Sequence, residues 1–363
     1  MTKKKILLLG KTPPPYIGPA IATEIILNSD LNNYFELIHL NTKLNEGVES
    51  MGRFGIGKLF KTRNLYKKYK QLINQHHPDL VLIPISQTTM GFLKDLPFIN
   101  IAYKKRVKIV IQLRGSNFLN WYNGCSETLK NKVKKALQKC DGVIVLGDCL
   151  KYLFEPFFMA DKIFVVPNGA NFSFPTVQKP DSITFLYFAN FLPSKSFWEV
   201  LNAFKIATQN TDKKIQLIAA GAWDNESYKS KCLDFIQNHK LKNVTILPPQ
   251  WGTEKLKLFA QADVFLFCPQ QPEGHPWVIV EALAAGLPII ATDQGAIKES
   301  VISQKNGFLL NETNIDLIAE KIQCLTNDET LRKTFGTYSK KHYKEHFTEE
   351  KMVARLKHVF DSI

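Results

Sequence analysis

The feature that most constrains this chain is an alternation that runs through it twice. Six short apolar runs mark the first half: KKILLLG (4–10), FELIHL (35–40), DLVLIPI (79–85), VKIVIQL (107–113), GVIVLG (142–147) and KIFVVP (162–167). Segments of helical character fall between them, notably 56–75, 92–105, 126–139 and 148–157. Apolar strands alternating with helices imply parallel βαβ units whose sheet is covered on both faces. The pattern restarts at SITFLYFAN (182–190) and continues through KIQLIAAG (214–221), NVTILP (243–248), VFLFCP (264–269) and LPIIAT (287–292). Helices are expected near 195–209, 225–240, 253–261, 276–285 and 314–325, and the tail from 336 also reads as helical. Between the halves, PNGANFSFPTVQKPDS (167–182) is rich in Pro, Asn and Ser and lacks periodicity, as a linker does. The expected fold class is α/β: two Rossmann-like parallel domains, a number that suits 363 residues. In such sheets ligands bind beyond the carboxyl ends of the strands.

Composition narrows the setting. No apolar run is long enough to span a bilayer, and MTKKKILLLG reads as a first strand, not a signal peptide. Six cysteines without a CxxC pair suit a reducing cytoplasm. The net charge of +14 is uneven: residues 1–175 hold 25 Lys and Arg against 12 Asp and Glu, whereas 176–363 hold 22 against 21. The first half is therefore the candidate for an anionic partner.

The most informative stretch is PEGHPWVIVEALAAGLPII (272–290). Pro276 suits the start of a helix, Gly286 suits its left-handed C-terminal cap, and Pro288 follows. Glu281 is the lone polar residue of PWVIVEALAA, and a helix apolar all round is a buried one. A carboxylate there needs a partner or hydrogen-bond donors, or its pKa rises. The helix start, with Gly274 before it, offers backbone N–H groups to phosphate oxygens. Glu281 reads either as a solvent-facing edge residue or as a carboxylate offered to ligand hydroxyls.

The segment E-G-H-P-x-x-x-x-E-A-x-A-x-G-x-P-x-I closely resembles the signature of the retaining GT-B glycosyltransferases of the large family 4, the group 1 glycosyl transferases. The resemblance implies two Rossmann-like domains facing a cleft: 1–170 on the acceptor side, a linker at 171–182, the nucleotide-sugar domain at 183–340, and a C-terminal helix at 341–363 returning to the first. It implies Glu273 at the donor sugar, Glu281 at the ribose, and the backbone of Gly274, His275, Pro276 and Trp277 at the diphosphate. ITFLYFANFLPSKSFWEVLNAF (183–204) resembles the family's G-R-L loop and K-G helix. Lys195 stands at the diphosphate-binding Lys, while Asn190 replaces the family Arg and Ser196 the Gly. GKTPPPYIGPAIAT (10–23) resembles the first phosphate loop, with Gly18-Pro19 for Gly-Gly. IQLRGSNF (111–118) has Arg114 where the family has His. Arg114 reads either as an exposed strand-end residue or as a cation restoring the charge lost at Asn190.

The resemblance further implies a retaining hexosyltransferase-type enzyme with Glu273, Lys195 and Arg114 at the reacting centre. The donor would be a nucleotide-diphosphate sugar, UDP favoured and GDP possible, and the acceptor a glycan or polyprenyl-linked molecule in cell-surface polysaccharide or glycoconjugate synthesis. No metal-ligand spacing occurs among the eight histidines, and no cofactor or nucleic-acid reader motif is evident. GRFGIGKLFKTRNLYKKYKQLINQ (52–75) reads equally as a basic amphipathic helix lying on an anionic membrane surface and as an ordinary helix packed on its own sheet. The expected location is the cytoplasm, with peripheral contact at the inner membrane face. A sugar-nucleotide epimerase, a non-catalytic partner subunit and a basic membrane-docking scaffold are the competing readings.

Overall fold

The computed structural model describes residues 3–14, 16–43 and 56–363, the side chains of 56–59 excepted. Two compact units divide the chain: residues 1–170 with 349–363, and residues 171–348.

In the first unit six strands form one parallel sheet: β1 (Lys5–Gly10), β2 (Glu36–Asn41), β3 (Leu80–Ile85), β4 (Lys108–Leu113), β5 (Gly142–Val145) and β6 (Ile163–Val165), in the order β2-β1-β3-β4-β5-β6. The apolar runs become strands because they bury both faces. Ile6, Leu8, Leu80, Leu82, Val110 and Ile144 pack on one side against Ile26, Leu31 and Phe35. The last helix, Glu349–Ser362, completes that layer with Met352, Val353, Leu356, Val359 and Phe360. The segment expected as a helix at 148–157 is a 3-10 turn over Asp148–Leu153.

The second unit repeats the plan with β7 (Ile183–Phe188), β8 (Ile215–Ala220), β9 (Val244–Leu247), β10 (Val264–Phe267), β11 (Ile289–Thr292) and β12 (Gly307–Leu310). Its order is β12-β11-β10-β7-β8-β9, again wholly parallel. Alternate residues face opposite layers. Phe185, Tyr187, Val264 and Leu266 pack with the helices Phe197–Gln209 and Ile315–Asn327, and Leu186, Phe265 and Phe267 with Gly252–Gln261 and Trp277–Ala285.

Each order has one point where successive strands diverge to opposite sides, and an open α/β sheet forms its crevice there. In the first unit that point lies between β1 and β3, in the second between β7 and β10.

The helix Ile56–His76 covers most of the basic amphipathic segment; residues 52–55 lie outside the described residues. Its apolar stripe turns inward. Tyr69 and Ile73 are buried, and Tyr66 and Tyr69 meet Phe98 edge-on at 5.0 and 5.1 Å. Phe60 is exposed, with Lys61, Arg63, Lys67, Lys68 and Lys70 around it. No described helix is long and apolar enough to cross a membrane.

Candidate active site

The second unit gathers most of the candidate residues beyond β7 and β10. After β7 the chain makes a 3-10 turn, Pro193–Lys195, and enters the helix Phe197–Gln209 through Ser196 at φ 60°. That left-handed backbone explains why a glycine suits this place, since a Cβ is disfavoured there. The Ser196 hydroxyl is buried with no hydrogen-bond partner. Two contacts fix the turn: the Tyr187 hydroxyl donates to the Lys195 carbonyl at 3.1 Å, and the Gln270 N–H donates to the Ser194 carbonyl at 2.9 Å. The second ties the turn to the loop after β10.

That loop carries Glu273. Lys195 Nζ donates to Glu273 Oε1, and the ammonium sits 5.5 Å from the centroid of the Phe267 ring. Both side chains are mostly shielded from water. Gly295 supports Glu273 from behind. At φ 60° it closes so tightly that a Cβ would lie 1.6 Å from the Glu273 carbonyl oxygen, and the Ala296 N–H donates to the Gly274 carbonyl at 2.9 Å. Only glycine fits that approach.

Pro276 caps the helix from outside as its N-cap, and the helix runs Trp277–Ala285 to Gly286 at φ 75°. The expected first helical position for Pro276 is therefore one residue early. Trp277 is buried. The His275 ring is buried too: its Nε2 lies 2.8 Å from Ser300 Oγ, and the ring packs 5.1 Å from Phe347. The His275 side chain is thus turned inward.

Glu281 is 6% exposed. The solvent-facing reading is excluded. Lys255 Nζ, from the helix Gly252–Gln261, donates to Glu281 Oε1 at 2.5 Å, while Oε2 is buried without a hydrogen-bond partner. Burial raises the Glu281 pKa, and the Lys255 charge and hydrogen bond oppose that rise. Sequence reasoning did not single out Lys255. It stands 26 positions from Glu281 and is one of two lysines in its helix.

Asn190 is exposed, and its Oδ1 accepts from the Ala222 N–H at 3.3 Å, so it braces the β7 and β8 loops. It brings no positive charge where the family has Arg. Among the side chains described here, Lys195 and Lys255 are the cations placed against the two glutamates.

Gly18 and Arg114 belong to the first unit. Gly18 opens the helix Gly18–Asn28, so the expected loop is a helix start. Arg114 follows β4, and its Nη1 donates a long hydrogen bond of 3.4 Å to Asn168 Oδ1. Burial pushes the guanidinium down to about 10, which leaves it charged at neutral pH. With Gly10, Lys11, Pro19 and Asp95 it lines a cavity of about 380 Å³ at the β1–β3 crevice. The Asn168 side chain thus holds Arg114.

Comparison with known proteins agrees with this geometry. Residues 170–342 match the family described as Glycosyl transferases group 1. An uncharacterized glycosyltransferase of Methanocaldococcus jannaschii is 27% identical over 83% of this chain and 80% of its own length. The capsular polysaccharide biosynthesis glycosyltransferase CapM of Staphylococcus aureus is 26% identical over 50% of this chain and 47% of its own. In fold, the chain is similar to Anabaena Alr3699/HepE, solved in complex with UDP, with a TM-score of 0.74 at 16% identity over 99% of this chain and 100% of that one. The fold is GT-B, and the second unit carries the match to the group 1 glycosyl transferases.

Proposed function

We propose that this chain is a group 1 glycosyltransferase that moves a sugar from a nucleotide-diphosphate donor, UDP favoured over GDP, to a glycan or lipid-linked acceptor with retention of anomeric configuration. One observation carries the reading: Lys195 and Glu273 meet at the crevice between β7 and β10, beside the start of the helix Trp277–Ala285. A cation, a carboxylate and a helix N-terminus at one crevice are what a diphosphate and a sugar ring would need. Lys195 and the backbone N–H groups at the helix start would take the diphosphate and stabilise the charge that grows on it as the glycosidic bond breaks. Glu273 would accept from sugar hydroxyls, and Glu281 from ribose hydroxyls.

Lys195 is paired with Glu273. The donor would exchange that pair for two contacts of its own, phosphate on Lys195 and sugar on Glu273. No enzymic nucleophile is assigned; the departing phosphate would help deprotonate the acceptor on the same face, and the scheme calls for no cofactor. The roles expected for Gly18 and Arg114 stay within the proposal, and Arg114→Ala is expected to lower turnover more than UDP affinity. Polysaccharide synthesis as the setting is supported by the similarity to CapM.

Contact with an anionic membrane surface stays part of the proposal too, now through the exposed basic face Lys61, Arg63, Lys67, Lys68 and Lys70 and not through the apolar stripe. Loss of vesicle co-sedimentation on changing Lys67 and Lys68 to Glu is the expected result; unchanged binding would remove that helix from the scheme.

The donor reading is tested by thermal shift with UDP, GDP, ADP and TDP, with Glu281→Ala as control. At least one diphosphate should raise the melting temperature of the wild type and do less for the variant. If none does, the crevice is not a nucleotide site. Retention is read from the anomer of the product by proton NMR.

A further inference from the structure

Glu281 poses a chemical problem that the donor site alone does not resolve. Its helix is otherwise apolar, and six of its nine residues, Glu281 among them, are buried. A buried ion pair in such a wall is often replaceable by apolar side chains without loss of stability. This one is also incomplete. Oε1 holds Lys255 at 2.5 Å, while Oε2 is buried and has no donor. Buried carboxylate oxygens without donors cost free energy and are rare in folded proteins. An atom kept in that condition points to a donor that arrives with a ligand.

Lys255 is held as firmly as its partner. Its side chain is 14% exposed, and Nζ lies 5.0 Å from the centroid of the Phe188 ring at the carboxyl end of β7. The ring face and the carboxylate together fix the ammonium. The other charged side chains of its helix are drawn elsewhere: Glu254 pairs with Lys257 at 2.7 Å. Lys255 therefore stands beside Glu281 at the strand end from which the chain leads to Lys195.

We infer that Lys255 is a positioning residue of the nucleotide site: it occupies Oε1 and fixes the orientation of the Glu281 carboxyl group, so that Oε2 is presented to a hydroxyl of the bound ribose. The inference rests on the donor-site reading above and adds to it the residue that makes Glu281 an acceptor. A protonated Glu281 would itself carry a hydrogen to donate, and its carboxyl would be free to turn. The ammonium opposes the first, and its hydrogen bond to Oε1 restrains the second.

The test is calorimetric titration of UDP, 2′-deoxy-UDP and 3′-deoxy-UDP into wild type, Lys255→Met, Lys255→Arg and the double variant Lys255→Met/Glu281→Gln. The double variant removes the charge pair as a unit, so that no lone buried charge remains to unfold the protein. Wild type should prefer UDP over at least one deoxy analogue by about tenfold or more, the scale of an unmet buried hydrogen bond. Lys255→Met should lose that preference, the double variant should match it, and Lys255→Arg should recover much of it. A Lys255→Met protein that discriminates as wild type does would overturn the inference alone. Wild type that binds UDP and both analogues equally would overturn it as well, with the diphosphate site intact. Wild type that binds none of the three would overturn the donor reading and this inference together.

Discussion

Lys195 and Glu273, 78 residues apart in the chain, meet as an ion pair beyond the carboxyl ends of the adjacent strands β7 and β10. Two residues proposed to serve different parts of one donor are thus paired with each other. Glu273→Gln separates the two roles. Removing the carboxylate releases Lys195 for phosphate, so UDP should bind as tightly as to wild type or about 3-fold more tightly, the modest scale of a partly exposed pair. Turnover should nevertheless fall at least about tenfold if the sugar loses a charged acceptor in the transition state. Titration of UDP and initial-rate measurements on one preparation check both halves.

Ser196 gives a stability prediction of opposite sign to most substitutions. It holds φ 60° with its hydroxyl buried and unpartnered. Ser196→Gly relieves both and should stabilise the protein by about 1 kcal/mol, less the greater entropy of glycine in the unfolded chain. The melting temperature of the transition belonging to the second unit should rise by about 2–4 °C. A fall would show that the hydroxyl has a role its surroundings do not reveal.

At Gly295 the expected change is a large loss. A Cβ would lie 1.6 Å from the carbonyl oxygen of Glu273, and backbone cannot yield as a side chain does. Gly295→Ala should destabilise the unit by about 2–4 kcal/mol through the backbone clash and the disfavoured φ. Because the displaced atom belongs to Glu273, UDP-sugar affinity should drop further than UDP affinity. Denaturant midpoints and the two titrations measure these effects separately.

The first unit has its own pH signature. Burial raises the Asp95 carboxyl from 3.8 to about 6, against the opposing effects of its hydrogen bonds from Ser86 and the charges of Lys94 and Lys11. The unfolded chain releases this proton first. Between the two values the folded unit binds more protons, so stability falls as pH rises through about 6. The Asp95 contribution should be about 1–2 kcal/mol, allowing for its partial exposure. Asp95→Asn keeps an acceptor for the Ser86 N–H, which donates at 2.7 Å. Its advantage in melting temperature over wild type should therefore grow from pH 4.5 to pH 7.5. A gap independent of pH would mean that Asp95 ionises at its ordinary value.

Much of this architecture was legible in the chain because parallel strands buried on both faces must be apolar along their length. Eleven of the twelve strands stand out that way. The missed one, β12, is four residues long, GFLL, flanked by Asn306 and Asn311. It pairs only at the sheet edge, and nothing in so short a run separates it from a loop. The Glu273–Glu281 spacing was legible because it belongs to a helix with punctuated ends. Their cations differ. Lys195 lies in a recognisable loop, whereas Lys255 owes its place to helix–helix packing, which sets one of its helix's two lysines against a carboxylate. The stripe of the helix Ile56–His76 was equally readable, but periodicity gives a face without saying what covers it, and here Phe98 does. Asn168 gains its contact with Arg114 across 54 residues, a pairing that only the folded sheet creates.

The central claim, that Lys195 and its crevice bind the donor diphosphate, is tested most directly by the gap between UDP and UMP affinity in wild type and in Lys195→Met. A second phosphate held by a charge-assisted contact should make wild type prefer UDP by about tenfold to a hundredfold. In Lys195→Met the gap should close to within about threefold, with UMP binding nearly unchanged, since the interaction lost is with the second phosphate. A gap of full size in Lys195→Met, or a wild type that binds neither nucleotide, would contradict the account.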